Sequence, residues 1–293
     1  MVPRLGRVVL ACAALLCVSG SPIGADGPAR IVSTSPSITE TLFALGLGDR
    51  VVGVSSYCRY PAAAARLPKV GSFLRPDTEL IARLRPDLVI VHAGPHNVPA
   101  QLSTLGLASI TVDRGTLAGV FSSIRSIGAA AEAGDRAARL VADLEGRLAA
   151  VRAGAAKRPS KRVLVIVGRQ PGTLSDLVGV GRGSYLNDLV KVAGAVNVLD
   201  DPRLPEYPRI SMESVIRLEP DLIVDAGDIG ETEEDHRQRQ PINQRLWRQQ
   251  THVKAVRANG IRAVTSDAFV VPGPRVVEVA ETLARWLDAA GSK

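Results

Sequence analysis

Short aliphatic runs punctuate the chain, and the stretches between them alternate polar and apolar residues at helical spacing. In the first half, Arg30-Ile31-Val32-Ser33, Val51–Val54, Leu88–Val91 and Ile110–Val112 each read as a short, largely buried strand. Ser37 is placed to cap a helix, with Glu40 completing a capping box and Gly46 ending the element. The second half restarts after Arg162 with Val163–Val167, continues through a helix from Tyr185 to Ala193, and returns to strands at Leu222–Val224 and Ile261–Thr265. Strands separated by helices predict parallel sheets joined by right-handed crossovers.

One phrase occurs twice. Residues 79–88 read E-L-I-A-R-L-R-P-D-L, and residues 213–222 read E-S-V-I-R-L-E-P-D-L, with six of ten positions identical. Each copy describes a short helix, stopped before Pro, that feeds an aliphatic strand. The chain is therefore expected to form two similar α/β lobes. Between them, Asp135–Ala156 is rich in Ala, Leu and Arg and contains no Pro; Gly134 starts it and Lys157-Arg158-Pro159 stops it. A continuous helix there would be roughly 30 Å long. The expected organisation is a leader over 1–25, a first lobe over 26–133, a connecting helix over 134–156 and a second lobe over 157–293, with a ligand cleft between the lobes.

The first 25 residues carry Arg4 and Arg7, an apolar run from Val8 to Val18, and small residues up to Ala25. This is the pattern of a secretory signal segment, too short in its apolar part to span a bilayer. Cys12 and Cys17 lack the setting of a lipoprotein cysteine, so export to the periplasm without an anchor is the favoured reading. Cleavage lowers the formal charge from +7 to +5 and leaves Cys58 as the remaining cysteine, so no internal disulfide can form. The basic residues are scattered and not interleaved with aromatics, which argues against nucleic acid.

Only 3% of residues are aromatic. Tyr57, Tyr60, Phe73, Tyr207 and Phe269 nonetheless fall in loops, where a parallel α/β sheet binds ligands at its strands' carboxyl ends. A cleft with flat side chains on both walls suits a large, partly apolar ligand. No nucleophile–base pair or paired-carboxylate motif has recognisable spacing, so an exported α/β enzyme is disfavoured. His92 and His96 are separated by Gly94-Pro95 and cannot share a helix face as metal ligands. His236 and His252 read as solvated positions in a polar helical stretch. Gly179-Val-Gly181-Arg-Gly183 does not follow a strand in dinucleotide-fingerprint form. Cys58, beside Tyr57, reads either as a small buried hydrophobe or as a soft contact to a metal-bearing ligand. Glu79 and Glu213 begin equivalent helices after Asp77 and Ser211, so they would present matched negative points, one per lobe.

The run S-P-S-I-T-E-T-L-F-A-L-G-L-G-D-R-V-V-G-V-S-S-Y-C-R-Y-P over 35–61 resembles the opening of class III periplasmic binding proteins of ABC importers, nearest the cobalamin (vitamin B12)-binding proteins. L-P-K-V-G-S-F at 67–73, G-R-G-S-Y-L-N-D-L at 181–189, S-M-E-S-V at 211–215 and T-S-D-A-F…P-G-P-R at 265–275 extend the resemblance over the mature chain. It implies two lobes on one long helix, limited hinge motion, and a monomeric receptor without a cofactor of its own. The ligand-clamping positions fall on Tyr57, Phe73 and Tyr207, with Asp267 near the ligand's amides. Ser35, Pro36, Cys58, His92 and Phe269 complete the expected cleft. The glutamates that pair with arginines of the importer's membrane subunits fall on Glu79 and Glu213. Phe73 and Tyr207 stand where such proteins often carry Trp, and His92 replaces an aromatic. The implied cargo is a corrinoid, cobalamin or cobinamide; the alternative is a ferric siderophore or haem, for which Arg59, Arg75, Arg169 and Arg209 would supply cations.

Overall fold

The computed structural model describes residues 27–94, 97–113, 115–156, 158–228, 233–264 and 266–289. The expected leader over 1–25, together with His96, Thr265 and the side chain of His236, lies outside the described residues.

The first lobe is built on β1 (Ile31–Ser33), β2 (Val51–Val54), β3 (Leu88–His92) and β4 (Ser109–Val112), all parallel, in the order β2-β1-β3-β4. The second contains β5 (Arg162–Gly168), β6 (Leu177–Gly179), β7 (Val196–Asn197), β8 (Arg209–Ile210), β9 (Leu222–Asp225) and β10 (Ile261–Ala263). Its order is β10-β9-β5-β6-β8, with β7 also pairing β5. This sheet departs from the all-parallel expectation, because β6 runs antiparallel to β5 and β8 antiparallel to β6. The connection from β5 to β6 is a hydrogen-bonded turn around Gln170–Ser175, and a short turn without a helix returns the chain antiparallel. The glycine string at 179–183 follows from the same packing. A Cβ on Gly181 would stand 2.6 Å from the Pro205 carbonyl, so only glycine lets the 205–208 loop close over β6.

The twice-used phrase has a structural reason in its Asp. Asp87 accepts backbone N–H groups of Ala29 and Arg30, each at 2.9 Å, at the start of β1. Asp221 accepts the N–H of Arg162 at 2.8 Å, at the start of β5. Arg30 and Arg162 return the favour by donating to the carbonyls of Leu84 (2.7 Å) and Leu218 (2.8 Å). Each lobe thus ties the end of its repeated helix to the first turn of its leading strand.

The connecting helix runs from Gly134 to Ala155, about 33 Å at 1.5 Å per residue. Ala137, Val141, Leu144 and Leu148 form its buried stripe, at the four- and three-residue spacing of one helix face. That stripe packs on the helices Leu117–Ala130, Tyr185–Val192 and Val276–Ala289, so one apolar cluster runs through both lobes. Two further bonds join the lobes below the cleft: Tyr185 N–H to the Gly115 carbonyl at 2.7 Å, and Leu117 N–H to Asp188 Oδ2 at 3.1 Å. Extensive apolar contact plus backbone bonding makes this a stiff junction.

The first helix starts earlier than the sequence suggests. Ser35, not Ser37, is its cap, and Pro36 occupies the first turn, where its fixed φ and missing N–H cost nothing. Glu40 is therefore not part of a capping box; it is buried on the helix's inner side. His252 lies in a turn after the helix Glu233–Arg248, not within a helix. Among the described residues no helix is long and apolar enough to cross a membrane.

Candidate functional site

A cavity of about 460 Å³ opens between the lobes, at the carboxyl ends of β3, β4 and β5. The first lobe contributes Ala93, Val112, Asp113 and Gly115. The facing wall comes from Val167, Tyr185, Leu186, Glu206, Tyr207, Val270 and Pro272. The position is the one that open parallel sheets use for ligands. Aliphatic and polar surface share the lining about equally, with one carboxylate on each wall. None of the described lining residues is Arg or Lys.

Tyr207 lines this cavity, with 42% of its surface exposed. Tyr57 and Phe73 are not among the cavity's described lining residues; both are well exposed and meet edge to face, with ring centroids 5.8 Å apart, so they present one continuous aromatic surface on the first lobe. His92 ends β3 and is held on both ring nitrogens. Nδ1 donates to the Val112 carbonyl at 3.0 Å, and Nε2 shares a hydrogen bond with Ser37 Oγ at 2.9 Å. Ser35 is buried as a helix cap, and Pro36 is half-buried beside it.

Two expected cleft residues face the core instead. Cys58 is fully buried, with Sγ within hydrogen-bonding distance of Thr39 Oγ1 (3.1 Å) and Ser55 Oγ (3.2 Å). Burial pushes its thiol up, so it stays protonated and serves as a small packed side chain. Phe269 stacks on Trp286 at 5.6 Å between ring centroids and 18° between planes, and its carbonyl accepts the Tyr185 hydroxyl at 3.0 Å. The apolar interface with the Val276–Ala289 helix takes the ring away from the cleft.

Sequence reasoning missed the polar cluster that crosses the cleft's edge. Glu40 of the first lobe and Arg275 of the second, 235 residues apart, form a forked ion pair, with Nε donating to Oε2 at 2.8 Å and Nη2 to Oε1. Arg275 also donates to Asp267 Oδ1 at 2.9 Å and lies 4.2 Å from the centroid of the Tyr60 ring. Burial pushes the Glu40 carboxyl up to about 7, against the downward pull of the guanidinium. Asp267 is thereby committed to Arg275. No local signal could have exposed this pair, because its members sit on different lobes.

The arginines that an anionic ligand would need are placed elsewhere. Arg169 is buried at the end of β5 between Asp225 (3.2 Å) and Asp228 (3.5 Å), and Trp247 Nε1 donates to the same Asp225 at 2.8 Å. Arg59, Arg75 and Arg209 are absent from the described lining. Among the described residues no group of three or more His, Cys, Asp or Glu is placed to hold a metal ion.

Glu79 and Glu213 project from the starts of the helices Thr78–Arg83 and Met212–Leu218, both exposed. Asp77 caps the first through the Glu79 and Leu80 N–H groups, and Ser211 caps the second through that of Ser214. The Ser211 side chain and the local backbone hold the Glu213 carboxyl below the ordinary glutamate range.

The sequence pattern of the family described as "Periplasmic binding protein" matches residues 31–268. The chain belongs to that family. It is a class III substrate-binding protein of the ABC-importer kind, and its relatives bind substrates instead of transforming them. The Vitamin B12-binding protein of Salmonella typhimurium is 32% identical over 212 residues, 72% of this chain and 77% of that protein. The uncharacterized ABC transporter substrate-binding lipoprotein YvrC of Bacillus subtilis is 30% identical over 265 residues, 88% of this chain and 79% of that one. Among solved structures, the periplasmic heme-binding protein RhuT from Roseiflexus in apo form superposes with a TM-score of 0.76 at 29% identity, over 90% of this chain and 99% of that one. Relatives of both cargo types therefore share the two-lobed architecture.

Proposed function

We propose that this protein is an exported receptor that captures a corrinoid, cobalamin or cobinamide, between its lobes and delivers it to an importer's membrane subunits through Glu79 and Glu213. The observation that carries the cargo assignment is the pair of carboxylates facing the cavity, Asp113 on one wall and Glu206 on the other. A corrinoid's rim is covered with uncharged amides, whose N–H groups can donate to carboxylates. Haem propionates and most ferric chelates bring anionic oxygens, which two carboxylates would repel and which call for Arg or Lys. The aromatic surfaces of Tyr57, Phe73 and Tyr207 supply flat apolar contact for the macrocycle. The stiff junction between the lobes keeps the ordering cost of binding low.

Titration of the purified mature protein with cyanocobalamin, followed by quenching of its fluorescence, tests the clamp. Tyr57→Ala and Tyr207→Ala should each weaken binding by about 1–3 kcal/mol, the range for a buried aromatic anchor. Unchanged affinity in the Tyr207 variant would place the ligand outside this cavity, and unchanged affinity in the Tyr57 variant would place it off the first lobe's aromatic surface.

A further inference from the structure

The two docking helices share more than their glutamates. Residues 75–83 read R-P-D-T-E-L-I-A-R and residues 209–217 read R-I-S-M-E-S-V-I-R. Within these nine positions the identical residues are Arg75/Arg209, Glu79/Glu213 and Arg83/Arg217. All six side chains belong to exposed residues. The neighbours between them differ: the cap is Asp77 in one lobe and Ser211 in the other, followed by Thr78 or Met212 and then Leu80 or Ser214 on either side of the Glu.

Arg83 and Arg217 stand in the last turns of their helices, where the dipole favours a cation, but local structure does not explain why Arg75 and Arg209 recur two residues ahead of the caps, at the end that disfavours one. Arg75 leaves a turn in which its own N–H is bonded to Ser72, whereas Arg209 lies in β8, 3.6 Å from the exposed Asp176. Arg83 and Arg217 stand four residues after the Glu, where an ion pair along the helix could close. Among the described residues neither Glu79 nor Glu213 has a Lys or Arg within ion-pair distance. Arg75 and Arg209 recur although one leaves a turn and the other a strand with a different neighbour, so their shared position points to a partner outside the chain.

We propose that each lobe docks through an Arg-Glu-Arg triplet, and that each of two equivalent membrane subunits presents to it a basic residue bordered by acidic ones. The inference rests on the docking role given above to Glu79 and Glu213. An anionic bilayer surface would be drawn to the four arginines, but it would oppose the glutamate at the centre of each triplet and has no use for a fixed register. A protein surface with alternating charge matches all three positions, and such a pattern sets encounter rate and rejects wrong partners.

The test uses receptor-deleted cells of the source organism, complemented with the full chain and assayed for uptake of radiolabelled cyanocobalamin and radiolabelled haemin at limiting receptor. The variant R75Q/R83Q/R209Q/R217Q should retain the thermal midpoint and ligand affinity of the parent but lower uptake about tenfold, with either lobe's double variant giving part of that loss. Parental uptake by the quadruple variant, while E79R/E213R abolishes it, would overturn the triplet and leave the glutamate handle standing. Parental uptake by both variants, or uptake of neither cargo through the parent protein, would overturn the docking role and the triplet with it. A loss of uptake matched by lost adsorption to phosphatidylglycerol vesicles, with E79R/E213R gaining in both, would assign the arginines to lipid instead.

Discussion

Glu79→Arg combined with Glu213→Arg should abolish delivery of cargo into cells while leaving the purified protein's ligand affinity unchanged and its melting temperature only slightly lowered, because each reversal puts a cation in a helix's first turn. Both glutamates are exposed, and neither lines the cavity. Their helices are capped by Asp77 and Ser211, which the substitutions leave in place. Reversal turns two attractions into two repulsions at a basic socket, a change that acts on encounter as well as on the docked complex. Each single variant should retain partial uptake, because one lobe still engages. Loss of ligand affinity in the double variant would contradict a docking role and place these residues in the binding site.

Arg275→Ala is expected to lower unfolding free energy by about 3–5 kcal/mol, measured by denaturant titration, because it strands Glu40 as an uncompensated buried charge. The side chain of Glu40 is 2% exposed and that of Arg275 10%, so water screens the pair little. The deficit should depend on pH with a definite sign. Burial raises the Glu40 carboxyl of the folded protein to about 7, above its ordinary value of 4.5. A raised carboxyl favours folding when protonated, and this contribution is lost as pH rises through 7. Removing Arg275 also takes away the pull that lowers this carboxyl, so in the variant it stands higher still, and the deficit of Arg275→Ala should grow as pH rises past 7 and level off below it. Glu40→Gln with Arg275→Met, which removes both charges at similar volume, should recover much of the loss. A deficit under about 1 kcal/mol for Arg275→Ala at pH 8 would show that the pair is not what fastens the cleft's edge.

The large-scale architecture was legible because it is written in local pattern. Strand-length aliphatic runs marked all the parallel strands of the first lobe, and the Pro-free stretch before Lys157 marked the helix Gly134–Ala155 to within a residue or two. The duplicated phrase survives because Asp87 and Asp221 perform the same backbone bonding in both lobes. What escaped depended on non-local packing. The antiparallel β6 and β8 are strands of only three and two residues, too short to carry a period. Pro36 sets the helix start two residues earlier than the serine pattern alone suggests. Phe269 and Cys58 occupy loop positions in sequence, yet each is claimed by a neighbouring element: Trp286 in one case, Thr39 and Ser55 in the other. Asp113 and Glu206 carry no motif, and only the fold brings them to one cavity.

That cavity holds the central claim, and equilibrium titration of the mature protein with cyanocobalamin, cobinamide, haemin and an anionic ferric tris-catecholate in parallel tests it most directly. The walls bearing Asp113 and Glu206 predict saturable binding of both corrinoids, with haemin and the ferric chelate at least about tenfold weaker. Tight binding of haemin or of the ferric chelate, with no binding of either corrinoid, would contradict the account.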